Sequence, residues 1–573
     1  MRPTRFRKLV VLIVLVAVGA VVAAPATVAR AAAVARPSRS TPVDAPAPVL
    51  HGIDLEQATI PDLQQAFASH RLSSVVLTAF YLRRIRALEP RLHALTASNP
   101  KALQEAAASD VHRRRYGARS PLEGIPVLLK DNIDTARQPA TAGSLALVGA
   151  PAPDAFLVRR LRAAGAVFIG KANLSEWANF RSTQSSSGWS AVGGQNNNPY
   201  VLDRNPCGSS SGSGTAAAAN LAVVAIGTET DGSIVCPSGA QGVVGIKPTL
   251  GLVSRSGVVP ISAEQDTAGP IARHVIDATL TLSVLRGVDP DDPATASSAP
   301  FLGVNLAAGL RADALRGKRI GVWTQGTGAE NVAAVGRIVA DAAATLREAG
   351  ATVVTADLPN LDQIGGPEFA ALLVEFKHDL NAYLAARPGQ HPRTLAELIA
   401  FNTAHASTEL QYFGQEIFEA AEATNGDLTD PTYLTQRQTA TTLAQRAIDD
   451  TLAELDLDAI VAPTNGPAWK TRLPGGDDFS QFVGSSTPAA VAGYPSVTVP
   501  AGFVGPLPIG LSFIGSRYGE AELLALGYGF EQAGQARRPP TFIPSIDASA
   551  VARTGLEQGA APAHRQGQRV IGS

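Results

Sequence analysis

The alternation of short strand-like runs with Ala-rich segments of helix length constrains this chain more than any other feature. Apolar or β-branched runs fall at 127–129, 166–169, 221–226, 319–322, 352–355, 459–462, 497–499 and 511–514, and helix-length stretches such as 332–349 lie between several of them. Parallel neighbours in a sheet need long crossovers, which helices supply, so the pattern predicts an α/β fold. Runs that are apolar throughout suit strands buried on both sides, which predicts a mixed, twisted sheet covered by helices on both faces.

A chain of 573 residues could hold about three or four average domains, yet no Gly/Ser/Pro-rich linker interrupts it between about His51 and Pro540. One large domain over 51–540 is therefore expected. Before the first strand, Thr59 can cap a helix running through Leu63 and Phe67, and Leu77, Tyr81, Ile85 and Leu88 form a stripe at helical spacing. The stretch 362–452 is mostly helical, with few strand signals. Inserted late in an α/β core, it is placed either to wall a substrate cleft or to add packing helices.

A formal net charge of −1 with 17% charged residues offers no basic field for phosphate backbones, so nucleic acid is not an expected partner. There is no GxxxxGK[ST] cradle, and the nine histidines show neither HExxH nor paired metal spacing. Neither a cofactor nor a metal is expected.

The N-terminus departs from this neutrality. MRPTRFRK is cationic, 9–24 is apolar, and small residues follow, including Ala29-Arg30-Ala31. This order reads as a secretory signal peptide over 1–33 and predicts a secreted protein with no stable membrane partner once the signal is removed. An uncleaved signal anchor is the other reading. Residues 34–50 are Pro/Ala-rich and read as a tether, and 541–573 as a flexible tail.

The chemistry concentrates in three places: GIPVLLKDN at 124–132, CGSSSGSG at 207–214 and GTETDGSIVCPSG at 227–239. Gly208-Ser209-Ser210-Ser211-Gly212 matches GxSxG, but that elbow needs a strand leading into it. What precedes it is the proline-broken loop from Asn197 to Pro206, so the elbow reading is rejected. CGSSSGSG instead runs into an Ala-rich helix, near whose positive end its backbone amides sit. GTETDGS follows a strand and can turn the successive amides of Thr230, Asp231, Gly232 and Ser233 towards one point, as an oxyanion hole requires. Lys130 closes an apolar run upstream. A lysine acts as a base near neutrality only if its pKa falls by roughly three units, at a cost of about 4 kcal/mol to the charged form, and burial at a strand end can do that.

The only cysteines, Cys207 and Cys236, each lie within three residues of a candidate serine. They are expected as buried free thiols, because a domain of this size needs no staple; a disulfide is sterically conceivable if the two loops meet.

At these loops the chain resembles the amidase signature family, whose hallmark is GGSSGGS, then GTDxGGSIRxP and GxxGxKPT. Here the corresponding strings are CGSSSGS, GTETDGSIVCP and GVVGIKPT at 242–249, and the likeness extends through NLSEWANF, PAAVAGYPSVTVPAG and LPIGLSFIG. LLVEFK at 372–377 and GDDF at 476–479 look most like the bacterial peptide amidases of that family. The resemblance implies the amidase signature fold, Ser233 as nucleophile, Ser209 as a bridging serine held by a cis peptide, and Lys130 as base. It also implies an oxyanion hole at Thr230, Asp231, Gly232 and Ser233, with Ser210 and Glu229 as supports. Asp231 stands where the family often has glycine, and Val235 replaces the family's arginine beyond the nucleophile. The function implied is hydrolysis of carboxamides through an acyl-enzyme, with C-terminal amides of peptides as the expected substrates and a small-molecule or short peptide amide as the partner. Aryl or aliphatic amides are the alternative substrates, and a catalytically silent binding protein of the same fold is the rival from another class.

Overall fold

The computed structural model describes residues 47–138 and 140–546. The expected signal segment, the tether as far as residue 46 and the tail from 547 onward lie outside the described residues. Near both inner boundaries the described residues make backbone pairings. Val49–Leu50 pairs antiparallel with Ile53–Asp54, and at the other end Ile543 bridges to Val201 while Arg204 donates to the carbonyl of Ile546.

The core is one sheet of eleven strands. In chain order these are β1 (Leu95–Ser98), β2 (Pro126–Lys130), β3 (Val167–Ala172), β4 (Val224–Glu229), β5 (Val244–Lys247), β6 (Thr267–Ala272), β7 (Arg319–Trp323), β8 (Thr352–Ala356), β9 (Ala459–Pro463), β10 (Ser496–Val504) and β11 (Leu507–Ile514). Across the sheet the order is β8-β7-β9-β11-β10-β5-β6-β4-β2-β3-β1. β8, β7 and β9 run parallel, as do β4, β2 and β3; the strands between them and the edge strand β1 pair antiparallel. The sheet is thus mixed, as expected.

Successive side chains of a strand point to opposite faces, and the packing follows that period. Along β9, Ala459 and Val461 join the apolar cluster that contains Leu523 and Phe530 of the Glu520–Gly534 helix. Ile460 and Ala462 join a different cluster, with Ala444 and Ile448 of the Pro431–Glu454 helix. Both faces are therefore covered. The helix capped by Thr59 spans Ile60–Ala68 and is closed by a reciprocal box, the Thr59 hydroxyl taking the Asp62 N–H while the Asp62 carboxylate takes the Thr59 N–H.

The helical stretch after 362 folds as Gly365–Ala386, Leu395–Ala404, Glu416–Glu422 and Pro431–Glu454, with a short turn of helix at Ala406–Glu409. Polar side chains dock it. Arg437 makes a two-pronged contact with buried Glu375, whose other partners are the hydroxyls of Tyr433 and Ser262. These bonds tie the block to the loop 261–266 that leads into β6.

Candidate active site

β2 lies between β4 and β3, all three parallel, with Leu129 opposite Ile226. The carboxyl ends of β2 and β4 therefore emerge side by side, where open α/β sheets commonly place their ligands. Lys130 is the last residue of β2 and is fully buried. Its Nζ lies 2.8 Å from Ser209 Oγ, 2.8 Å from Thr228 Oγ1 and 3.2 Å from the Thr228 carbonyl. Asn132 Nδ2 donates to Thr228 Oγ1 at 3.0 Å and fixes that hydroxyl. Burial drives the Lys130 ammonium down to about 7 from its usual 10.5, against the opposing pull of the Asp266 and Glu229 carboxyls.

Ser209 follows a cis peptide bond from Gly208 and is fully buried. Gly208 suits that position, because a Cβ there would run into Ser175 Oγ. Ser210 N–H donates to the Ser233 carbonyl at 3.1 Å, which sets residue 233 against the Ser209–Ser210 step. Of the three residues, Ser233 alone has measurable exposure, 8%, against 0% for Lys130 and Ser209. Ser210 points the other way: its hydroxyl donates to the Thr228 carbonyl at 3.0 Å and accepts from the Thr228 N–H, beneath β4. A serine so engaged is a brace, not an exposed elbow.

The turn from Thr230 to Ser233 is held on every side. Glu229, buried at the end of β4, accepts the Ile234 and Val235 N–H groups at 2.7 and 3.0 Å and so anchors the start of the Val235–Ala240 helix. Burial pushes the Glu229 carboxyl up, while the Lys247 ammonium pulls it down. Thr230 donates its hydroxyl to Asp266 at 2.5 Å, and its carbonyl accepts Gln265 Nε2 at 3.0 Å. Gln265 Nε2 also bonds Glu368 at 2.7 Å, and Arg437 bonds Gln265 Oε1 at 3.0 Å, so the helical block reaches the turn through one glutamine. Asp231 accepts the Thr487 hydroxyl at 2.7 Å, and burial raises its carboxyl. Gly232 has φ +77°, the left-handed region that favours glycine.

Cys207 and Cys236 are joined in a disulfide, with Cα atoms 6.0 Å apart. The expectation of free thiols is thus corrected. The packing of the Ser210 amide on the Ser233 carbonyl brings the two loops together, and the flanking cysteines meet across that seam. The bridge is a local clasp between the loops, so the size of the surrounding core has no bearing on it.

A cleft of about 870 Å³ reaches this turn from outside, meeting Gly208, Asp231, Gly232 and the disulfide. Among the described residues most of its lining comes from 464–487, joined by Val332, Ala334, Val504 and Leu507. The wall-building alternative for 362–452 is therefore not realised in this cleft. That block instead bonds Ser262 and Gln265 through Glu375 and Glu368, and Arg181 through the Glu409 carbonyl.

Sequence reasoning missed Thr228, Asn132, Gln265 and Asp266. Pairing β2 with β4 would have found Thr228, since residues at the ends of adjacent parallel strands meet. Asn132 lies in the same GIPVLLKDN string as Lys130, whereas Gln265 and Asp266 approach through a loop that leaves no local signal. Among the described residues no histidine bonds Lys130, Ser209 or Ser233: His274 bonds the Glu56 carbonyl, and His378 pairs with Asp379.

The family model described as Amidase matches residues 76–524. A probable amidase of Arabidopsis thaliana is 43% identical over 501 residues, which cover 85% of this chain and 92% of that one. The native peptide amidase from Stenotrophomonas maltophilia is 51% identical, with a TM-score of 0.80 over 85% of this chain and 99% of its own. A peptide amidase in complex with the competitive inhibitor chymostatin gives 51% and 0.82 over the same shares. The chain belongs to the amidase family and is an amide hydrolase.

Proposed function

We propose that this protein hydrolyses the C-terminal carboxamides of peptides to free acids and ammonia, with Ser233 as nucleophile, Ser209 as proton relay and Lys130 as base. The observation that carries this reading is the 2.8 Å contact between Lys130 Nζ and Ser209 Oγ in a site where burial leaves the amine half-neutral near pH 7. Neutral Lys130 takes the Ser209 proton while Ser209 takes that of Ser233, and Ser233 Oγ attacks the carbonyl carbon. The charge that gathers on the carbonyl oxygen falls to the amides of the Thr230–Ser233 turn, each such donor contributing roughly 10²–10³ in rate. The relay then returns the proton to the departing nitrogen, the C–N bond breaks, and an ester on Ser233 remains. Water resolves the ester through the same relay, releasing the acid.

Peptide amides are favoured over aryl or small aliphatic amides because the chain is 51% identical to a peptide amidase and its cleft, at about 870 Å³, is larger than a small amide needs. The test is ammonia release across peptide, aryl and fatty amides, with Ser233→Ala as control. Faster release from aryl or fatty amides would displace the peptide reading, and full activity of Ser233→Ala would displace the nucleophile.

Export is part of the proposal. It rests on the cationic start and the apolar 9–24 run, and the Cys207–Cys236 bridge suits an oxidising compartment. Mass spectrometry of the mature N-terminus tests it, an intact Met1 in the culture medium being the contrary result.

A further inference from the structure

We propose that Trp469, Phe479 and Phe482 form a subsite for a large apolar side chain, aromatic first, on the residue that carries the scissile carboxamide. The inference rests on the peptide-amide reading above and adds a preference to it. Phe479 and Phe482 are 58% and 56% exposed, yet both line the cleft that meets Gly208 and Gly232 of the serine loops. Their rings stand edge to face at 5.8 Å, and Phe479 lies 6.1 Å from the half-buried Trp469, so three rings form one apolar surface. Isolated apolar residues on a surface need no explanation, but a contiguous aromatic patch inside a cleft marks a binding surface.

The patch is held at both ends. Asp477, between Trp469 and Phe479, accepts Trp469 Nε1, the Ser187 N–H and hydroxyl, and Asn205 Nδ2. Asn205 in turn accepts the Cys207 N–H at 2.8 Å, which ties the rings to the first serine loop. On the far side Val483 packs with Ala329 and Val335, and Gly484 N–H bonds the Thr327 carbonyl. Rings on a loop so anchored cannot fold away from water, and a ligand is what covers them. That ligand is the acyl part of the substrate. A primary amide sheds ammonia, which needs neither volume nor apolar contact, so the apolar wall serves the side that stays on Ser233.

Burying one large apolar side chain discriminates by roughly ten- to hundredfold. The experiment compares kcat/KM for N-acetyl-phenylalaninamide and N-acetyl-glycinamide in the parent and in Phe479→Ala/Phe482→Ala. In parallel, calorimetry on Ser233→Ala with and without the two Phe changes reads binding of the same amides without turnover. The expected result is at least a tenfold preference for the phenylalanine amide in the parent, falling to within about twofold when both rings are removed, with Phe479→Leu/Phe482→Leu in between. Equal binding of both amides by Ser233→Ala, or a preference that survives loss of the rings, overturns the subsite. Preferential binding that depends on the rings, without turnover of either amide by the parent, upholds the subsite and overturns the catalytic reading instead.

Discussion

Around Lys130 and Ser209 the residues are small or fully engaged, with Gly208, Ser210, Thr228 and Gly232 each spent on a bond or a backbone conformation. Across the cleft, 464–487 does the opposite and leaves Phe479 and Phe482 bare on a loop pinned at its ends. The difference separates two tasks. A buried lysine with a lowered pKa needs a dry, closely packed surround, whereas choosing among substrates needs surface that only the substrate covers. On the proposed reading the first task falls to strand ends and the second to a loop far along the chain.

The strongest way to break that division is at the floor. Lys130→Ala or Ser233→Ala should lower kcat/KM on a peptide amide by roughly 10³ or more, and Ser233→Ala should also abolish labelling by a fluorophosphonate probe. A Lys130→Ala enzyme within tenfold of the parent would remove the relay. Next in size, Glu375→Ala strands the Arg437 guanidinium in the buried dock of the helical block and should cost about 3–5 kcal/mol in urea unfolding. Substrate preference among amides should hold in that variant, since the block does not line the cleft; a changed preference would return the helices to the wall. Replacing both cysteines by serine opens the clasp between the serine loops and should cost about 3–4 kcal/mol by the loop-closure argument, again read from the urea midpoint.

The smallest effect is the most diagnostic. Lys130 acts as a base only when neutral, so kcat/KM should fall about tenfold per pH unit on the acid side, below a midpoint of about 7. The Asp266 charge raises the Lys130 pKa, so Asp266→Asn should move that limb to lower pH, by about one unit or less. A limb that stays in place would mean that the titrating group is not Lys130.

Much of this was legible in the chain. All eight strand-like runs fold as strands, and the helices begin where Thr59 and the 332–349 pattern place them. Each of these signals is local: apolar runs, capping residues and turn glycines act within a few residues of themselves. β6 was missed because its TAGPIA string carries Gly269 and Pro270 where β-branched residues would announce a strand, and β1 and β5 are only four residues long. Only the tertiary structure could decide that Thr228 holds Lys130, that Cys207 meets Cys236, and that 464–487 rather than 362–452 walls the cleft. Those contacts join residues 29 to about a hundred or more positions apart, and they follow from sheet register and loop packing. Sequence by itself therefore determined the family and the residues proposed for its chemistry, because lysine, serine and glycine at fixed local spacing define both. The cleft proposed to meet the substrate was decided by folding, because it is assembled from segments that share no neighbourhood until the sheet has formed.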